Sequence, residues 1–134
     1  MQLRYTIMYG DNGPETLDFY VQALGLEVGF LHESNDYGEL LTGNTKLAFS
    51  SKSLMTQLGK SPGTPNPKHP VFEIAFEVED VEGAFKKAQA AGATVVQEVR
   101  EEPWGQTTSY FSDPNGYLFE ICSAVEITDA RSAS

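Results

Sequence analysis

The chain is short of cysteine, histidine and positive charge, and each shortage removes a class of function. Cys122 is the sole cysteine among 134 residues. An intrachain disulfide is excluded, and a lone thiol suits a reducing compartment. Lysine and arginine number 9 against 19 aspartates and glutamates, a formal net charge of −10. Nucleic acids require a basic face, so no nucleic-acid partner is expected. The same excess of acid favours solubility and would draw in a cationic small molecule. Apolar runs fall short of the roughly 18 residues that a membrane span needs, so no membrane partner is expected. Residues 1–6 contain no basic stretch leading into an apolar one, as a secretory leader would. The expectation is a cytoplasmic protein. The sequence also lacks a glycine-rich phosphate loop, a Ser-His-Asp arrangement and a Cys-x-x-Cys pair.

What remains is an ordinary globular composition, 40% hydrophobic and 21% charged, sized for one domain or two small fused modules. Residues 3–9 read as a strand. Asn12, Gly13 and Pro14 then mark a helix start, and Leu17, Tyr20, Val21 and Leu24 form its apolar face at i, i+3, i+4 and i+7. Gly25 ends it. Strands follow at 26–31, 37–41 and 46–50, the last two joined through Gly43-Asn44. Residues 52–70 hold Pro62, Pro65, Pro67 and Pro70 and read as a linker, with a short helix near 54–58.

The same order then returns. A strand at 71–78 precedes a helix capped by Asp80, whose apolar face is Val81, Ala84, Phe85 and Ala88 and whose stop is Gly92. Strands at 94–99, 106–112 and 117–123 complete the second set, the last two joined by Asp113-Pro114-Asn115-Gly116. A repeated supersecondary unit implies that neither copy buries its sheet face alone. The predicted architecture is α+β: two tandem βαβββ modules at 1–51 and 71–125, a linker at 52–70, and a flexible tail at 126–134.

Three motifs carry a family resemblance. Leu17-Asp18-Phe19-Tyr20, followed by Leu24-Gly25-Leu26, resembles the FY…LG helix of vicinal-oxygen-chelate proteins. That group holds glyoxalases, ring-cleaving dioxygenases and bleomycin-binding proteins. Phe76-Glu77-Val78-Glu79-Asp80 resembles their second-module strand end, and Asp113-Pro114-Asn115-Gly116-Tyr117-Leu118-Phe119-Glu120 their DP-G-hydrophobic-E signature. The marks span residues 3–124. The resemblance implies a curved, open-barrel sheet around a cleft, and a homodimer whose modules pair within or between chains. It does not fix an activity, because one fold hosts many.

In metal-dependent members four inward positions hold the ion, and the resemblance maps them to Arg4, Ala48, Glu73 and Glu120. Arginine cannot ligate a cation and Ala48 has no donor atom. Two carboxylates fall short of the three or four donors that zinc or nickel prefers. No cofactor is therefore expected; were a divalent metal present, Glu73 and Glu120 would hold it. In this alignment the Arg4 guanidinium sits between the two carboxylates. A slip of one residue would put Tyr5 in the first position and turn the strand over.

The candidate pocket comprises Arg4, Thr6, Met8, Ala48, Glu73, Glu77, Trp104, Gln106 and Glu120. Glu73 and Glu120 are the candidate acid/base pair, with Glu73 a base only where burial rather than Arg4 sets its pKa. Trp104 either stacks on a flat ligand or caps the sheet edge, with Gln106 as a polar anchor. Cys122 shares a strand face with Glu120 and reads as a small buried filler. His32 falls near the second strand. His69, in the linker, reads as solvated. Three functions compete: a small-molecule binder without metal chemistry, its ligand cationic; a metal-dependent lyase of the glyoxalase I type; and a purely structural dimeric module.

Overall fold

In a computed structural model, residues 1–125 are described; the expected tail at 126–134 lies outside the described residues. The chain forms β1 (Tyr5–Gly10), α1 (Gly13–Leu24), β2 (Glu27–Leu31), β3 (Tyr37–Leu41) and β4 (Lys46–Ser51). The short α2 (Lys52–Gln57) opens the linker. Then come β5 (Glu73–Glu77), α3 (Val81–Ala90), β6 (Thr94–Glu101), β7 (Thr107–Ser112) and β8 (Leu118–Cys122). Two four-stranded sheets result, ordered β1-β4-β3-β2 and β5-β8-β7-β6. In each, the first and last strands of the module run parallel and the other neighbours antiparallel. The βαβββ unit is thus present twice.

Local chemistry sets the helix ends. The Asn12 side chain accepts from the Glu15 N–H at 3.0 Å, and Asp80 accepts from Gly83 N–H at the same distance. Pro14 lies in the first turn of α1, where its missing N–H costs nothing. Gly25 closes that helix with a φ of 70°, a left-handed cap that suits glycine. The linker helix starts two residues earlier than the pattern suggests, because Ser51 caps it by accepting from Leu54 N–H.

The first strand of each module also begins two residues later than its apolar run. The partner strands explain this. Lys46 opens β4 opposite Tyr5, and Leu118 opens β8 opposite Glu73. Leu3 and Val71 precede those pairs, have no ladder to join and stand exposed.

One core serves both modules. Helices α1 and α3 pack on each other and on the sheets. Tyr20, Phe76, Phe111 and Phe119 form an aromatic cluster there, with Phe111 and Phe119 stacked at 5.5 Å and Tyr20 5.9 Å from Phe119. The two sequence motifs meet at its rim as a clasp. Tyr20 hydroxyl donates to Asp113 Oδ2 at 2.5 Å, while Asp113 Oδ1 accepts from the Asn115 and Tyr117 N–H groups. Asn115 Nδ2 donates to Thr16 Oγ1 at 3.0 Å. Tyr117 hydroxyl accepts from Tyr9 N–H at 2.9 Å and donates to Tyr9 carbonyl at 2.8 Å. The FY and DPNG segments therefore tie module to module.

Candidate functional site

With the helices covering one face of each sheet, chemistry is left to the opposite face. Strand register decides which side chains stand there. In the second module Ala75, Glu120, Tyr110 and Gln97 form one row across β5, β8, β7 and β6. The next row holds Glu77, Cys122, Thr108 and Arg100, and the preceding one Glu73, Leu118 and Ser112. Phe119 and Ile121 alternate onto the core side and are wholly buried.

Glu120 and Tyr110 in these rows are both raised in pKa, and Glu73 contributes to each. Burial raises the Glu120 carboxyl above the ordinary carboxylate range; Glu73 adds to this, and Tyr110 partly opposes it. Tyr110 is in turn pushed above the ordinary phenol range by its own burial and by Glu120 and Glu73. Glu120 is buried, whereas Glu73 and Glu77 are exposed. The Cys122 thiol is pushed up by burial and by Glu120 and Glu77, and contacts Phe76 carbonyl at 3.7 Å. Its placement is that of an unreactive filler.

Trp104 and Gln106 belong to the β6–β7 turn at the end of the same face. Trp104 Nε1 donates to Gln106 Oε1 at 2.7 Å, and Gln106 Nε2 donates to Ser123 carbonyl at 3.0 Å. The indole is 57% exposed, so it is anchored at its polar edge and open on its ring. Arg100, its Nε 2.5 Å from Glu102, is the guanidinium of this face.

The first module presents a different surface. Ile7, Ala48, Glu39 and Phe30 form the row matching Ala75, Glu120, Tyr110 and Gln97. Glu39 accepts from Tyr37 hydroxyl at 2.7 Å and pairs with Lys46 at 3.4 Å. Burial and that bond to Glu39 raise the Tyr37 phenol. Around this polar knot Tyr5, Ile7, Phe30 and Leu41 remain 45%, 47%, 47% and 49% exposed.

The sequence-derived pocket is thus only partly assembled. Ala48, Glu73, Glu77, Glu120 and Cys122 share the open faces, with Trp104 and Gln106 at the rim. Arg4, Thr6 and Met8 do not join them. Met8 enters the core against Tyr20, and Thr6 lines a small cavity of about 190 Å³ with Leu47, Ile74 and Phe76. The exposed Arg4 bonds Gln2 and stands apart from both carboxylates. The strand is turned by one residue, so Tyr5 and Ile7 occupy the face that holds Ala48. Tyr110, Tyr37, Glu39 and Lys46 are the groups that sequence reasoning passed over. Laying the second module's register on the first would have placed Glu39 opposite Ala48 and Tyr110 opposite Glu120.

Paired βαβββ modules with polar clusters on their open faces define a class of two-module proteins. The model of the Glyoxalase/Bleomycin resistance protein/Dioxygenase superfamily matches residues 2–121, and the chain belongs to that superfamily. It is 24% identical over 110 residues to the uncharacterized protein YraH of Bacillus subtilis, covering 80% of this chain and 86% of YraH. It is 30% identical over 129 residues to a lactoylglutathione lyase of Neisseria meningitidis, covering 90% of this chain and 89% of the lyase. The crystal structure of a glyoxalase-related enzyme from Fulvimarina pelagi superposes with a TM-score of 0.80 at 17% identity, over 92% of this chain and 88% of that one.

Metal-binding members of such a family invite a test of fit. The donors on these faces are the carboxylates Glu39, Glu73, Glu77 and Glu120, the Cys122 thiol and phenols; Ala48 contributes nothing, and its row partner Ile7 is apolar. Among the described residues no three His, Cys, Asp or Glu side chains converge as a metal site. Donors that do not gather in threes do not fit a four-coordinate transition metal.

Proposed function

We propose that the chain binds a small molecule over the open faces of its two sheets, without a catalytic transition metal. The reading is carried by the Glu120–Tyr110–Glu73 group. Burial and neighbouring carboxylate charge raise Glu120 and Tyr110, and among the described residues no lysine or arginine pairs with Glu73 or Glu120, which suits hydrogen bonding to a positively charged or proton-rich ligand. The exposed ring of Trp104 gives a flat apolar platform at the rim. The net charge of −10 favours cations over anions at long range. The apolar face of the first module favours a homodimer, in which a second copy covers Tyr5, Ile7 and Leu41.

The test is a thermal-shift panel of cationic drugs that includes bleomycin. The expected result is a saturable rise in melting temperature for at least one member, reduced by Trp104→Ala and Glu120→Gln. No shift across the panel would count against the reading.

A second reading rests on the lactoylglutathione lyase relative, which favours lyase chemistry. Turnover of the methylglyoxal–glutathione hemithioacetal with added Ni²⁺ or Zn²⁺, lost in Glu120→Gln, would establish it in place of the first.

A further inference from the structure

The linker has a charge opposite to the rest of the molecule, and it roofs a cavity. Residues 52–72 contain Lys52, Lys60, Lys68 and His69 and no aspartate or glutamate. Three of the chain's 9 lysines and arginines lie there, and none of its 19 acids. This segment is seated on the fold. Gly116 has a φ of 98°, and a Cβ built on it would lie 2.6 Å from Pro65 carbonyl oxygen. The linker backbone thus rests directly on the Asp113–Gly116 turn.

Beneath it lies a cavity of about 360 Å³, bounded by Tyr9, Pro65, His69, Phe72 and Tyr117. Small-molecule pockets span about 300–1,000 Å³ and are mostly apolar with a few fixed polar groups. Here Tyr9, Phe72 and Tyr117 supply aromatic walls among prolines and aliphatic side chains. Both hydrogen-bonding roles of the Tyr117 hydroxyl are taken by the Tyr9 backbone, which fixes the ring and leaves its surface to a guest. Phe72 stands edge-on to it at 6.1 Å and 73°, and is 47% exposed. An aromatic ring left half in water beside a cavity has apolar area still to bury. The polar groups lie on the linker side. The lining residue Thr64 accepts from Lys52 Nζ at 2.7 Å, which holds that ammonium just behind the wall, where it also pairs with Asp11 at 3.7 Å; His69 lines the cavity itself.

We propose that this cavity binds a small aromatic carboxylate, its ring against Phe72 and Tyr117 and its carboxylate towards Lys52 and His69. The site uses none of Glu73, Tyr110 or Glu120, so it stands or falls apart from the function proposed above.

The experiment is an NMR titration of the ¹⁵N-labelled full chain with 1-naphthoate, 1-naphthylmethanol and 1-naphthylmethylammonium. The expected result is saturable binding that is strongest for naphthoate. Amide shifts should gather at Tyr9, residues 63–72 and residues 116–118. Lys52→Gln should weaken naphthoate roughly threefold, the size of one exposed charge pair, and leave the alcohol unchanged. Phe72→Ala should weaken all three probes about tenfold. Phe72→Leu, which keeps apolar bulk, repeats the test should the alanine variant misfold. Shifts centred on β7 and β8, equal affinity for all three probes, non-saturable shifts, or indifference to both Phe72 variants would overturn the proposal.

Discussion

Glu120 carries two opposed demands. It must lie on a strand whose neighbours Phe119 and Ile121 fill the core, and its own carboxyl is withdrawn from water beside Glu73. Its pKa is therefore raised on folding, with burial the larger cause. The sign follows from linkage: its stabilisation is present below the ordinary carboxylate value and is lost as pH rises through the raised one. Glu120→Gln removes that loss. Thermal melts should show the variant a few degrees more stable than the parent at pH 8, with no such gain near pH 4. Asp113 is buried too, but it is enclosed by donors: Tyr20 hydroxyl and the Asn115 and Tyr117 N–H groups. Asp113→Ala leaves them unpaired in the protein interior and should cost about 2–4 kcal/mol in urea unfolding. Tyr20→Phe removes one bond without opening a cavity and should cost about 1–2 kcal/mol.

At the scale of elements, capping and turn chemistry made most of the fold legible in the sequence. Asn12, Asp80 and Gly25 act where their side chains or φ preferences say they should. The faces of β1 were less legible, for a physical reason. Both alternating sets, Tyr5-Ile7-Tyr9 and Thr6-Met8, are largely apolar, so a period of two does not choose between them. The choice is made by Tyr20, which meets Met8 from another element. Hence the alignment that puts Arg4, Thr6 and Met8 on the open face is off by one residue, whereas the same resemblance places Glu73 and Glu120 on the face they occupy. Tyr110 was hidden because a tyrosine in a strand is ordinary; only its register with Glu120 gives it a role. The Asp113–Gly116 turn shows how an element constrains the linker. Gly116→Ala meets both a left-handed backbone and the Pro65 carbonyl, and should destabilise the fold by about 1–3 kcal/mol in chemical denaturation.

Across the whole molecule, charge and apolar surface are divided between regions. The second module's open face is acidic, the linker is basic, and the first module's open face keeps Tyr5, Ile7, Phe30 and Leu41 about half exposed. Such a face is expected to meet a second copy. Analytical ultracentrifugation should show a dimer for the parent chain and a shift towards monomer for Ile7→Glu paired with Leu41→Glu, whose side chains are already exposed enough to accept charge without unfolding.

The central claim is the proposal that these faces bind a ligand through carboxylates and phenols without a transition-metal ion. Elemental analysis of the purified protein, after incubation with nickel, zinc and iron salts and exhaustive dialysis, addresses it most directly. The account predicts metal far below one ion per chain and no difference between parent and Glu120→Gln. A tightly held ion at about one per chain, lost in Glu120→Gln, would contradict it.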